Sequence, residues 1–275
     1  MNDSRILTIQ DISCVGQCSL TVALPILSAC GIETAILPSA VLSTHTGGFT
    51  GFTFRDLTDD MPAIAAHWHK ENIKFDAIYT GYLGSIKQID IVKEIMESTL
   101  ENHGKKIVDP AMADNGNLYS IFDMDYVKEM KTLCDMADII LPNITEACFL
   151  TDTEFKTSYD KSYVMDLLKK LSTGDKTIIL TGVSYTSDTT GVVVYEHGTY
   201  NYYEHKKISK GCHGTGDVYA SAFTGALMHG KTTYDAAKIA ADYVVQCIEY
   251  TQQDPSHWYG VKFEPVLPEL IKSIY

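Results

Sequence analysis

The chain is short of positive charge. Against 35 acidic residues it sets 22 Lys and Arg, a formal net charge of −13 over 275 residues. That balance argues against nucleic acid or an anionic membrane as the main partner, because both select basic surfaces. A phosphate ligand stays open, since backbone amides and a metal can hold phosphate without side-chain cations. No run approaches the roughly 18 apolar residues of a membrane span. The first ten residues, MNDSRILTIQ, lack the long apolar core of a secretion signal, so a cytoplasmic protein is expected. No Cys-x-x-Cys pair occurs among the seven cysteines, at 14, 18, 30, 134, 148, 212 and 247. Their scatter and odd number speak against a zinc knuckle or a dithiol redox motif and fit reduced, mostly buried thiols. Repeats, low-complexity tracts and Pro/Gly/Ser-rich linkers are also lacking, so a single domain over 1–275 is expected.

What is present is an alternation of short apolar runs with amphipathic stretches. The runs predict strands at 5–10, 33–38, 76–80, 105–109, 138–141 and 176–181, and a hairpin of 190–196 with 199–205 about His197-Gly198. The 3.6-residue stripes predict helices at 19–30, 59–70, 85–102, 124–136, 144–151, 160–172, 216–229 and 233–250. Gly31 and Gly104 read as helix stops. Strands alternating with helices imply an α/β fold with a doubly wound, mostly parallel sheet between helical layers. Ligands of such sheets sit beyond the carboxyl ends of the strands. The polar residues there are Asp11, Thr80-Gly81, Asp109, Asn143 and Thr181-Gly182.

Three constellations carry chemistry. The first is Gly211-Cys212-His213-Gly214-Thr215-Gly216-Asp217, at the start of an apolar helix. Glycines let backbone approach a ligand, and the first N–H groups of a helix are unpaired and partly positive. Together they form an anion site, and Asp217 in the first turn adds a proton acceptor beside it. Phosphoryl transfer needs both parts. The same residues also read as a plain turn and an acid-favoured helix start. The second is Asp109-Pro110 with Asn143-Ile144-Thr145-Glu146. Such oxygens can hold a water-ligated Mg²⁺. Asn143 and Glu146 equally spell a helix-capping box. The third is the loop Ser43-Thr44-His45-Thr46-Gly47-Gly48-Phe49-Thr50-Gly51, a flap over a small ligand or an ordinary surface loop.

Other signals are set aside. Residues 225–232 match the phosphate-loop pattern G-x-x-x-x-G-K-S/T, but that loop must follow a strand. Here helical residues precede it, so Gly230 reads as a helix stop and Thr232 as the cap of the next helix. His67 and His69 are two apart on a helix and face different ways. Cys212 and His213 are adjacent in a tight turn, a poor geometry for a nucleophile and its base. No G-x-G-x-x-G follows the first strand, which speaks against a nicotinamide-dependent dehydrogenase.

The chain resembles the pyridoxal (vitamin B6) kinases of the ribokinase-like superfamily over nearly its whole length. The marks are Ile9-Gln10 followed by Val15-Gly16, His45-Thr46, the run from Thr80 to Ser85 (TGYLGS), Asp109-Pro110-Ala111-Met112, Leu141-Pro142-Asn143 with Glu146, and Gly214-Thr215-Gly216-Asp217. The resemblance implies a three-layer αβα ribokinase-like fold. It implies transfer of the ATP γ-phosphoryl group to the 5′-hydroxymethyl of pyridoxal, pyridoxine or pyridoxamine. Asp217 would be the general base, with Gly214, Thr215 and Gly216 forming the anion hole. Asp109 and Glu146 would organise Mg²⁺ and the phosphates. Asn143 and Thr181 would lie near the nucleotide, and Asp11, Thr46, Gly47 and Tyr82 near the pyridine ring. A monovalent cation of the K⁺ type and a homodimer are usual in such kinases. This chain has Asp11-Ile12 where relatives commonly have Ser-His, and Gly47 where they often carry a larger polar residue. Related hydroxymethylpyrimidine kinases often have Cys at the position of Asp217. The rival readings are a kinase of another hydroxymethyl compound, a pyrimidine or a sugar, and a non-catalytic carrier of pyridoxal phosphate.

Overall fold

Ile6, Leu7 and Ile9 are each fully buried although they alternate sides along one strand. A strand covered on both faces belongs inside a helix-flanked parallel sheet. In a computed structural model that describes residues 4–208 and 212–275, this strand, β1 (Arg5–Ser13), pairs parallel with two neighbours. Among the described residues, nine strands make a mostly parallel sheet. The chain gathers into two compact units, one formed by residues up to Gly104 with Ile208–Tyr275, the other by Lys105–Lys207.

The first unit opens with β1 and α1 (Leu20–Ala29), and Gly31, at φ 79°, turns the chain into β2 (Glu33–Leu42). A short edge strand, β3 (Phe54–Asp56), pairs antiparallel with β2. Helix α2 (Met61–Lys70) leads to β4 (Phe75–Thr80), which pairs parallel with β1. The Ser85 side chain caps α3 (Ile86–Thr99) by accepting from the Gln88 amide at 3.3 Å. The chain then enters β5 (Leu100–Val108), which runs across the boundary between the units.

The second unit continues with a small hairpin, β6 (Ala113–Asp114) and β7 (Asn117–Leu118). Helix α4 (Met124–Met136) is capped by Asp123, which accepts from the amides of Asp125 and Tyr126, each at 3.0 Å. Strand β8 (Ile139–Ile140), helices α5 (Ile144–Leu150) and α6 (Lys161–Leu171), and β9 (Thr177–Val183) follow. β8 pairs parallel with β5 and with β9, and the hairpin β10 (Thr189–Glu196) and β11 (Thr199–Lys206) adds antiparallel to β9. The chain returns to the first unit with α7 (Thr215–Met228), α8 (Thr233–Thr251) and α9 (Leu267–Ile274).

Sequence periodicity misplaced the boundary between α3 and β5. The helix expected over 85–102 ends at Thr99, and Leu100 is already extended at ψ 143°. Gly104 is therefore not a helix stop. It lies inside β5, where a Cβ would sit 3.1 Å from the Asp76 carbonyl oxygen and 2.7 Å from the Leu100 side chain. Strand β3, the β6–β7 hairpin and α9 were not anticipated. All three residues of β3 are exposed, so no burial pattern marks them.

Packing of α7 on α1 depends on Gly225. A Cβ there would overlap the Cys30 sulfur and lie 2.9 Å from the Cys30 Cβ. A helix interior ordinarily gains up to about 1 kcal/mol when Gly is replaced by a better helix former. Here the clash outweighs that gain. Gly225→Val should lower unfolding stability by about 1–3 kcal/mol, read as a lower urea midpoint with an unchanged slope.

Candidate active site

In the first unit, Gly214 sits at φ 79° immediately before α7. Only glycine fits this place: its conformation is left-handed, and a Cβ would overlap the Gln17 carbonyl oxygen. Thr215, Gly216 and Asp217 then form the first turn of α7, whose leading amides are free of intrahelical partners. Gly211, the first residue of the glycine segment, lies outside the described residues.

Asp217 is partly exposed by surface area, yet the protein around it pushes its carboxyl up to about 7. Desolvation is the main cause, and the nearby Asp11 charge adds to it. A hydrogen bond from the Ser19 backbone N–H acts the other way. Ser19 holds φ 56° and ψ −131°, a conformation that L residues rarely adopt and that costs on the order of 1–3 kcal/mol. Its amide serves Asp217 while its hydroxyl donates to Asp11, so one strained residue ties the two carboxyls together. Sequence reading placed Ser19 in a helix and gave it no role.

Asp11 is 5% exposed and stands opposite an irregularity in the β1–β2 pairing. Gln10 pairs with Pro38 and Ile12 with Val41, so β2 carries one extra residue across from Asp11. Ser13 Oγ donates to Asp11 Oδ2 at 3.0 Å. Burial raises the Asp11 pKa against those hydrogen bonds. Burial also pushes the Tyr82 hydroxyl up to about 12, with Asp11 adding to the rise. The Cys18 thiol is raised by burial, then by Asp217 and Asp11. Asp11, Tyr82, Cys18 and Asp217 thus share one electrostatic neighbourhood.

The flap is pinned. The Gly47 amide donates to His45 Nδ1 at 3.0 Å, so Nδ1 carries no proton. His45 Nε2 is then the donor to the Tyr259 carbonyl, at 2.5 Å. Burial lowers the His45 pKa, in keeping with this neutral tautomer. Phe49 packs against Trp258 at 4.7 Å between ring centroids. Thr46 is exposed at the tip, and the Gly47 α-carbon faces the ring of His213. The segment 257–260 that secures the flap went unread in the sequence. Its aromatic run, His257-Trp258-Tyr259, was the available signal.

In the second unit, the capping box is fully formed. Asn143 Oδ1 accepts from the Glu146 amide at 2.9 Å, and Glu146 Oε2 accepts from the Asn143 amide at 2.8 Å. Glu146 Oε1 accepts from the Met112 amide at 3.2 Å. Burial pushes the Glu146 carboxyl up to about 8 despite those donors. Asp109, buried at the end of β5, belongs to the same unit. Thr181 on β9 bridges to Asn143, its amide donating to the Pro142 carbonyl at 3.0 Å. The Ala113 backbone is a third donor to the Glu146 carboxylate, and Asp109 adds a second carboxylate. Such hard oxygen donors fit Mg²⁺, which retains most of its water.

The phosphate-loop lookalike is helical, as its context required. Gly225 to Met228 end α7, Gly230 turns at φ 99°, and Thr232 Oγ1 caps α8 by accepting from the Asp235 amide at 3.1 Å.

Comparison with known proteins identifies the family. The family model described as phosphomethylpyrimidine kinase matches residues 27–261. A crystal structure from Bacteroides thetaiotaomicron, provisionally assigned as a phosphomethylpyrimidine kinase and obtained in an orthorhombic form with pyridoxal, is 38% identical. It superposes with a TM-score of 0.91 over 98% of this chain and 96% of that one. Pyridoxal kinase from Lactobacillus plantarum is 31% identical, with a TM-score of 0.90 over 98% and 97% of the two chains. The hydroxymethylpyrimidine/phosphomethylpyrimidine kinase of Bacillus subtilis (strain 168) is 26% identical over 222 residues, covering 79% of this chain and 77% of that protein. The chain belongs to the phosphomethylpyrimidine kinase family and is a kinase of the pyridoxal/hydroxymethylpyrimidine type.

Proposed function

We propose that the protein transfers the γ-phosphoryl group of ATP to the 5′-hydroxymethyl of a B6 vitamer: pyridoxal, pyridoxine or pyridoxamine. The observation that carries this reading is a carboxylate, Asp217, held near pKa 7 at the amide-lined start of α7. Asp217 takes the proton as the 5′-oxygen bonds to the γ-phosphorus and the bond to the β-phosphate oxygen breaks, releasing ADP. A base whose pKa lies near the working pH combines a useful ionised fraction with a useful proton affinity. The amides of Gly214, Thr215, Gly216 and Asp217 stabilise the charge that develops on the transferring group. Asp11, Thr46, Gly47 and Tyr82 hold the pyridine ring. Asp109, Asn143, Glu146 and Thr181 serve the nucleotide.

Asp109 and Glu146 would hold Mg²⁺ through water, and the ion would neutralise phosphate charge. The reading carries with it a K⁺-type monovalent cation, one kinase domain over 1–275, a homodimer and a cytoplasmic setting, as in the kinases that the chain resembles. The pyridoxal in the crystal of the Bacteroides relative supports the acceptor.

The second reading is phosphorylation of a hydroxymethylpyrimidine, favoured by the family model and the B. subtilis relative. Asp at position 217, where those enzymes often carry Cys, weighs against it. Acceptors competed at equal concentration and ranked by kcat/KM decide between the two. We expect the B6 vitamers to win, and a clear preference for hydroxymethylpyrimidine would reverse the assignment.

Asp217→Asn should abolish most turnover while MgATP still binds with near wild-type affinity. Robust turnover in that variant removes Asp217 from the role of base. Because the carboxylate must be ionised to accept a proton, kcat/KM should rise about tenfold per pH unit below pH 7 and level off above it.

Stability should move in the opposite sense. The folded-state pKa of Asp217 is raised above its unfolded value of 3.8, so ionisation opposes folding. The cost is absent below pH 3.8, grows as pH rises towards about 7, and is complete above that. Asp217→Asn should therefore raise Tm at pH 8 by more than at pH 4. An equal shift at both values would contradict the carboxylate's environment.

A further inference from the structure

His213 has so far had no role. Its ring occupies the space that a side chain at position 47 would fill. A Cβ on Gly47 would lie 2.7 Å from His213 Nδ1, 2.9 Å from Cε1 and 3.2 Å from Cγ. The ring stands 5.4 Å from that of His45, whose two nitrogens are both engaged, one by the Gly47 amide and one by the Tyr259 carbonyl. His213 differs. It is exposed, and among the described residues neither of its ring nitrogens has a hydrogen-bond partner. Its backbone is anchored, the Val261 amide donating to its carbonyl at 3.1 Å. Gly214 follows directly and Asp217 comes four residues later, on the turn that α7 begins.

Under the proposed function the acceptor's ring lies against Gly47 and its hydroxymethyl at Asp217; His213, which abuts Gly47 and directly precedes the turn that carries Asp217, would then stand beside the intervening ring position. The group there is the substituent next to the reacting hydroxymethyl. In B6 vitamers that is the polar group on C4: aldehyde, hydroxymethyl or aminomethyl. In hydroxymethylpyrimidine it is the 4-amino group. A neutral imidazole has one donor and one acceptor nitrogen, so it can meet any of these.

We propose that His213 is a specificity-determining residue that hydrogen-bonds the polar ring substituent adjacent to the reacting hydroxymethyl, and that Gly47 is glycine to leave room for it. The inference rests on the proposed function, with Asp217 as the base and Gly47 against the ring. A site built to bond a polar substrate group rejects the analogue that lacks it.

The test compares pyridoxine with 4-deoxypyridoxine, which has a methyl group at C4, in wild type, His213→Ala and His213→Gln. Wild type should prefer pyridoxine in kcat/KM by about tenfold, the scale of one hydrogen bond. His213→Ala should erase the preference by losing pyridoxine turnover alone, with KM for ATP unchanged. His213→Gln, which keeps a side chain of similar length with a donor and an acceptor, should restore part of it. This second variant covers a failure of His213→Ala to fold.

A preference that survives in His213→Ala, or an equal fall for both acceptors, overturns the proposal. If wild type phosphorylates neither B6 compound, the vitamer reading fails. The His213 inference is then decided on hydroxymethylpyrimidine against its analogue without the 4-amino group, with the same outcomes required.

Discussion

The desolvated carboxyl of Asp217 at the start of α7 is the constraint around which the first unit is arranged. Desolvation raises the pKa of Asp217, and the only bond identified as opposing that rise is the Ser19 amide. To aim that amide, Ser19 takes a backbone conformation that is costly without glycine. The loop carrying Ser19 is in turn held against the α7 turn, since the Gln17 carbonyl lies where any side chain at 214 would be. Glycine at 214 thus has two causes, its positive φ and this approach. Remove either the strain at Ser19 or the bareness of Gly214, and the carboxyl loses its setting before any substrate is considered.

The same neighbourhood is acidic without a fixed cation among the interactions identified. Asp11, Cys18 and Tyr82 all have raised pKa values, burial being first in each case. The nearby His45 lowers the Asp11 pKa only as the last of the causes acting on it, and its own burial disfavours the charged form. Raised pKa values at Asp11 and Asp217 follow from this shared environment, so substitutions at one should be felt at the other. Ser19 makes the coupling physical as well as electrostatic, since one residue serves both carboxyls.

Much of the fold was legible from periodicity. The helix expected over 124–136 is α4, and the hairpin about His197-Gly198 is β10–β11. These elements announce themselves by local chemistry: an Asp cap with an apolar stripe, or alternation around a two-residue turn. Elements held by tertiary context were hidden. Strand β3 has no buried residue, and α3 ends early because Leu100 joins a strand rather than extending its stripe. In the site, Asp217 and the Gly214 turn were visible as residue types in a helix-start pattern. Ser19 was not, because its role lies in a backbone torsion. The flap's attachment through Tyr259 was also hidden, since it joins residues 214 positions apart.

Asn143-Ile144-Thr145-Glu146 offered two readings, a helix cap or part of a cation site, and the cap is fully made. That outcome sharpens rather than removes the second reading. A free glutamate would sample many rotamers, and fixing it costs up to about 2 kcal/mol of side-chain entropy. Here the amides of Asn143 and Met112 each hold one carboxylate oxygen, so the side chain is already ordered. Those donors, with the Ala113 backbone as a third, limit what Glu146 can give a cation directly. A carboxyl so constrained suits water-mediated contact with a strongly hydrated ion better than inner-sphere ligation. The cap is therefore the device that would make the residue useful: it fixes the position of a group whose value lies in orienting water.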